Sequence, residues 1–293
     1  MPSFPIVDSH VHLYDVARLR YPWLRAVPKI ERTYLLEDFD AARGRVEVDK
    51  IVFAEVAVAA GQHLEEAAFA QGLADRDARL CGMVAHLPAE NGLAIEPDIV
   101  ALKQFKTLRG IRRLIEGAPD PSFCLEPGFI AGVKLIGKHG LSFDICVKHW
   151  AMVFAIELVK RCPDVQFVLD HIGKPGIKHG LYKPWWGQIR ELSRLPNIVC
   201  KVSGVITETD HGHWRKEQVR PYVAHVIDCF GFDRAMYGSD WTVSELTHPY
   251  PVWVEILDEV VAGASETERR KLYRDTAIRV YRLPSLSSDR RTP

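Results

Sequence analysis

The chain has 293 residues, 47% of them hydrophobic and 26% charged, the balance of a folded globular protein rather than a disordered one. Its 38 lysines and arginines are matched by 38 aspartates and glutamates, which excludes the one-signed field that draws proteins to nucleic acid or anionic membranes. No run approaches about 18 apolar residues and no basic segment precedes an apolar one at the N-terminus, so neither a membrane span nor an export signal is expected.

Short β-rich apolar runs alternate with longer segments of helical spacing, the pattern of a parallel sheet with helices outside it. Eight strands are predicted: Ile6 to His12, Lys50 to Val56, Leu80 to His86, Thr107 to Arg112, Leu141 to Val147, Val165 to His171, Asn197 to Ser203 and Ala235 to Asp240. Helices are expected near 34–43, 62–76, 93–104, 126–138, 148–161, 185–194, 216–230, 251–262 and 265–281. Eight strand–helix units, in a chain close to the ~250 residues of one barrel, predict an α/β fold: a (β/α)8 TIM barrel forming a single domain over 1–293. An open sheet is the alternative, but no glycine-rich phosphate loop follows any strand. The polar tail over 284–293 is expected to be flexible, and the loop from Ile172 to Trp186 is read as an active-site loop. Six scattered cysteines with no CxxC pair read as reduced core thiols, which suits a cytoplasmic protein.

The ends of these strands carry the ionisable residues. Strand alternation sets Asp8, His10 and His12 on one side of the first strand, so two imidazoles converge at one barrel mouth. They suit a metal, a pair of donors to a carbonyl oxygen, or simply backbone carbonyl partners. The sixth strand ends in Asp170 and His171. His171 shares a face with Phe167 and Leu169 and is expected to point inward, with Asp170 on the opposite face in a supporting role. Asp240 ends the eighth strand, which neighbours the first in a closed barrel, and is expected beside His10 and His12 to take a proton from water or ligate a metal. An Asx cap on the following turn is its plainer role.

Weaker candidates are Arg112 as a clamp on substrate oxygens, Lys201 and Ser203 on the seventh strand, and Glu55, His86 and Asp144 as polar contacts. Trp185, Trp186 and Trp241 are read either as walls for a sugar-like ring or as core. The second HxH-like pair, His211 and His213, sits in a polar stretch read as a solvated loop or lid.

Taken together, Asp8-x-His10-x-His12, Arg109-Gly-Ile-Arg112, Asp170-His171-Ile-Gly-Lys174-Pro175, Lys201-Val-Ser203-Gly204 and Gly238-Ser239-Asp240-Trp241 resemble the lactonase branch of the amidohydrolase superfamily. That branch includes fuconolactonase-like, rhamnonolactonase-like and pyrone-dicarboxylate lactonase enzymes. The resemblance implies a hydrolase that opens small sugar-acid lactones. It implies that His10, His12 and His171 polarise the carbonyl, directly or through one divalent ion such as zinc that need not be essential. It further implies that Asp240 activates water or joins the metal ligands, and that Arg112, Lys201 and Trp241 contact substrate. The fifth strand offers no histidine and the fourth no bridging lysine, so a binuclear centre is not expected. A metal-dependent decarboxylase and a non-catalytic acid-binding barrel are the competing readings.

Overall fold

The structure, a computed structural model, describes residues 1–284; the tail expected to be flexible lies, from 285 on, outside the described residues. Eight strands form one parallel sheet in strict chain order. They are β1 (Ile6–Val11), β2 (Val48–Ala54), β3 (Leu80–His86), β4 (Leu108–Arg112), β5 (Ser142–Ile145), β6 (Phe167–Leu169), β7 (Ile198–Val202) and β8 (Ala235–Tyr237). The helices between and after them are α1 (Leu36–Arg43), α2 (His63–Ala74), α3 (Glu96–Leu102), α4 (Pro127–Lys138), α5 (Met152–Arg161), α6 (Trp185–Leu192), α7 (Lys216–Phe230), α8 (Tyr250–Val260), α9 (Glu266–Arg270) and α10 (Thr276–Tyr281). The fold is a (β/α)8 barrel, as the alternation predicts.

Closure is confined to one end. β8 meets β1 through a bridge between Val11 and Trp241, carried by His12 N–H donating to Trp241 O at 2.5 Å and Asp240 N–H donating to His10 O at 3.0 Å. The residues that close the barrel are therefore the ones singled out for chemistry.

The bore and the helix-facing layer divide the strand residues by alternation. Val7, Val52, Val84, Val168, Val199 and Met236 pack together inside, and α10 plugs the base with Ala277, Val280 and Tyr281. Phe53, Met83, Ile111, Phe143, Phe167, Leu169 and Val202 belong to the larger apolar cluster shared with the helices. Amphipathic helices supply the other half of that layer: in α4, Phe129, Val133 and Ile136 recur at helical spacing and are all buried. Pro127 starts α4 where a missing N–H costs nothing.

Six strands, β1, β2, β5, β6, β7 and β8, end one to three residues earlier than their apolar runs predict, and two of these ends shape the site. β6 stops at Leu169 and β8 at Tyr237, because His171, Ile172, Lys174 and Asp240 all take left-handed backbone, with φ of 53°, 50°, 43° and 61°. Such backbone cannot continue a ladder, and for β-branched Ile172 it is strained.

Close packing inside the sheet gives a direct test. A Cβ added at Gly110 of β4 would lie 2.2 Å from Ser142 Oγ of β5. Gly110→Ala is expected to cost about 1–3 kcal/mol, read from urea denaturation, and Gly110→Ala/Ser142→Ala should recover part of that loss. Equal destabilisation of the single and double variants would contradict this packing.

Candidate active site

The C-terminal mouth of the barrel holds a cavity of about 320 Å³ whose lining includes His12, His171, Asp240, Arg112, Trp23 and Lys174. At its floor three imidazoles surround one carboxylate. Asp240 Oδ1 lies 3.3 Å from His12 Nε2 and 3.8 Å from both His10 Nε2 and His171 Nε2. The ring centroids of His10 and His171 are 4.5 Å apart. Gly204, at φ +57°, makes the approach possible, since a Cβ there would fall 2.6 Å from His171 Nδ1 and 2.7 Å from Asp240 Oδ2.

The histidines are fixed by their far nitrogens. His12 Nδ1 faces the Ala54 carbonyl at 3.0 Å. A carbonyl only accepts, so Nδ1 carries the proton, and Nε2 is the atom turned toward Asp240. His171 Nδ1 is 2.9 Å from the Ser203 hydroxyl. Burial pushes His171 down to about 4 and holds His10 well below the usual imidazole range, so both are neutral at pH 7. Burial alone would raise Asp240, but His171, His12 and His10 outweigh it and keep this carboxyl well below the usual range.

Beneath the histidines runs a buried charge network. Arg112 Nε donates to Glu55 Oε1 at 2.7 Å, and Nη1 lies 3.2 Å from both Asp170 Oδ2 and His10 Nε2. Lys201 Nζ lies 2.7 Å from Asp144 Oδ2, 3.1 Å from Asp170 Oδ1 and 3.2 Å from His10 Nδ1. The Tyr281 hydroxyl, delivered by α10, donates to Asp144 at 2.6 Å. Burial raises Asp144, whereas Lys201, His10 and Arg112 overcome burial at Asp170 and hold it ionised.

Several sequence expectations are corrected here. Asp170 faces the bore beside Val168 and touches the His10 network, so it is not on the outer face. His171 follows the outward-facing Leu169 and reaches the cavity because left-handed backbone breaks the alternation. Asp8 does not join His10 and His12. It is fully buried, accepting from Tyr250 Oη at 2.8 Å and Ser239 N–H at 2.9 Å, after an irregularity in β1 pairing between Asp8 and Val11. Lys201, 0% exposed, lies behind His10 rather than on the cavity surface. Trp241, 1% exposed, packs edge-on against Tyr34 and Phe39. Trp185 donates to Ile172 O and Trp186 stacks on His225, so both take the core role. Glu55 and Asp144 serve as ion-pair partners of Arg112 and Lys201. His211 and His213 are exposed in their loop.

Three cavity residues carried no assigned role in the sequence. Trp23 forms a wall, anchored by Nε1–H donating to Val56 O at 2.7 Å. Glu116 follows β4 and Lys174 follows His171, and they pair at 2.6 Å. Lys174 falls inside the Asp170-to-Pro175 motif, which was the available signal; nothing in the sequence marks Glu116 or Trp23.

The donor set suits a cation. Ligand atoms of His10, His12 and Asp240 lie within 4.8 Å of one another, as do those of His10, Asp170 and His171. His12 Nε2 lies 3.3 Å from a carboxylate oxygen and 3.2 Å from His10 Nε2, a close meeting of acceptors that calls for a proton or a metal ion between them. Imidazole and carboxylate are ordinary zinc ligands. Arg112 already donates to His10 Nε2, so a metal there would compete with the guanidinium for one lone pair.

In sequence and fold the chain is similar to known proteins. The amidohydrolase family profile matches residues 7–283. An L-fucono-1,5-lactonase of Burkholderia multivorans is 30% identical over 95% of this chain and 96% of its own length. An L-rhamnono-gamma-lactonase of Scheffersomyces stipitis is 22% identical over 97% of this chain and all of its own. The crystal structure of an amidohydrolase from Burkholderia multivorans with bound zinc superposes with a TM-score of 0.87 at 27% identity, covering 96% of this chain and 100% of that one. No helix among the described residues is long and apolar enough to cross a membrane.

Two measurements test the electrostatics. Arg112→Met strands Glu55 and Asp170 without their cation and is expected to cost about 3–5 kcal/mol in urea titrations; a loss under about 1 kcal/mol would contradict the network. In metal-free protein, the unfolded chain takes up a proton on His171 near pH 6.5 that the folded chain refuses until about 4. Stability should therefore fall as pH drops from 6.5 toward 4, and His171→Asn should make that fall shallower, with His10 accounting for part of what remains.

Proposed function

The chain belongs to the amidohydrolase family, and from that premise we propose that it opens the ring of a small sugar-acid lactone by water attack on the lactone carbonyl. The observation that carries this reading is the meeting of one carboxylate held ionised with three imidazoles, at the floor of a cavity sized for a single sugar ring. The named activities of the fuconolactone and rhamnonolactone relatives support it. The substrates favoured are aldonolactones of the fucono-, rhamnono- or galactono- type.

In this mechanism Asp240 accepts a proton from the attacking water as oxygen bonds to the carbonyl carbon. Neutral His171, steered by Ser203, presents its ring edge to the carbonyl oxygen as negative charge develops there, and His10 stands behind it with Arg112 on its Nε2. Low dielectric at the buried floor strengthens these contacts. Collapse of the tetrahedral intermediate breaks the bond to the ring oxygen, which takes the proton from Asp240 and leaves as the hydroxyl of the open acid. Proton, water and product then balance: one water is consumed, and one carboxylic acid forms and ionises in solvent.

His10, His12, His171 and Asp240 would hold a divalent ion such as zinc, as one related structure does bind zinc. Bound there, the ion would supply Lewis-acid polarisation of the carbonyl and a lower pKa for water.

Proton release from 1,4- and 1,5-aldonolactones in weak buffer tests the proposal, with and without prior chelation. Asp240→Asn is expected to lower kcat by about 10²–10⁴-fold while leaving the melting temperature within a few degrees. Near-normal turnover in that variant would remove Asp240 from the reaction. Silence of the wild-type protein across the whole panel would sink the lactonase reading itself.

A further inference from the structure

One group of charges at the cavity takes no part in the mechanism above. Glu116 Oε1 lies 3.1 Å from Lys148 Nζ, and Oε2 lies 2.6 Å from Lys174 Nζ. Glu208 Oε2 lies 2.9 Å from Lys148 Nζ, and Oε1 lies 3.7 Å from Lys174 Nζ. Two lysines and two glutamates thus alternate in a ring with no net charge. Glu116 and Lys174 line the reaction cavity, while Lys148 and Glu208 line a neighbouring one.

The rest of the wall is apolar. Trp23, Val56, Ala57, Leu114 and Val243 complete the lining around the histidines and Asp240. Arg112 also reaches the cavity, but four of its five N–H bonds are taken, by Glu55, Asp170, His10 and the Glu55 carbonyl. Beyond the reacting groups, polar recognition of a substrate therefore falls chiefly to Glu116 and Lys174. Burial would raise Glu116, but Lys174 and Lys148 overcome it and bring this carboxyl down to about 2, so it is a fixed acceptor at working pH. Its two oxygens offer about four lone-pair sites, of which Lys148, Lys174 and the Cys146 thiol at 3.2 Å use three. Lys174 has three N–H bonds and one close carboxylate partner, which leaves donors for the cavity.

We propose that Glu116 and Lys174 form a hydroxyl-reading pair: the carboxylate accepts from one substrate hydroxyl and the ammonium donates to its neighbour, selecting uncharged lactones with adjacent hydroxyls. This rests on the lactonase reading of the site and names which lactones it takes. The charge balance points the same way. Around the floor, Arg112 and Lys201 face the carboxylates of Glu55, Asp170 and Asp144, Asp240 faces the three histidines, and the Glu116–Lys174 ring adds no net charge. A substrate bearing its own carboxylate would enter a region already rich in negative charge, where Arg112, Lys174 and Lys201 each already face a carboxylate. The acid product has that same mismatch, which favours its departure.

The test compares kcat/KM for three lactones of one ring size: a polyhydroxylated aldonolactone, the corresponding lactone carrying a terminal carboxylate, and an unsubstituted lactone. Wild-type enzyme should prefer the first over both others. Glu116→Gln should lower the ratio of kcat/KM between hydroxylated and unsubstituted lactones by about tenfold to a hundredfold, chiefly through KM. Lys174→Met should lower the same ratio, with a melting curve on each variant showing that it is folded. Preference for the carboxylated lactone, or a ratio unmoved in both variants, would overturn the hydroxyl-reading pair while leaving the lactonase reading intact. Failure of wild-type enzyme to open any of the three would instead overturn the lactonase reading, and this pair's role with it.

Discussion

The two hydrogen bonds that close the barrel, from His12 N–H to Trp241 O and from Asp240 N–H to His10 O, are the constraint on which the site depends. β1 and β8 are joined by an isolated bridge rather than a long ladder, and that contact sits at the mouth. Closing the sheet therefore also sets the Asp240 carboxylate against two imidazoles. The fold and the chemistry share the same few backbone groups.

That juxtaposition is stable only because charge is compensated in layers. Asp240 stays ionised through the histidines above it, and Asp170 through Lys201, His10 and Arg112. The lowest layer is anchored by Tyr281, a residue from the C-terminal helix that reaches through the bore to Asp144. Each imidazole then meets a fixed partner, Ala54 O for His12 and Ser203 Oγ for His171. Orientation of this kind, set before substrate arrives, is what lowers a barrier whose main cost is charge developing in a low-dielectric space.

Strand number, order and approximate position were legible because the apolar runs are short and separated by helical spacing. His10, His12, His171 and Asp240 were legible as ionisable residues at the ends of those runs. Which way they point was not. Alternation assigned Asp8 to the cavity and Asp170 away from it; a break in β1 pairing overturns the first, while Asp170 keeps the face of Val168, which is the bore, and it is His171 that leaves the alternation through left-handed backbone. Left-handed backbone at His171, Ile172, Lys174 and Asp240 leaves little trace in composition, since only Gly173 among 171–174 is a residue that favours it. Lys201 and Trp241 looked like substrate contacts because they neighbour motif residues; burial of both shows that adjacency in sequence did not give access to the cavity. Glu116 lies on a loop and Trp23 in a short 3-10 helix over Pro22–Ala26, where no periodicity marks an inward side chain.

The account stands most directly on where the water attacks. Hydrolysis of an aldonolactone in ¹⁸O-enriched water, followed by mass spectrometry of the product, reads that position. Attack at the carbonyl places the label in the carboxylate and leaves the released hydroxyl unlabelled, which is the predicted result. Label in the hydroxyl would mean cleavage at the ring carbon, and would contradict a site built from Asp240 and three imidazoles around a lactone carbonyl.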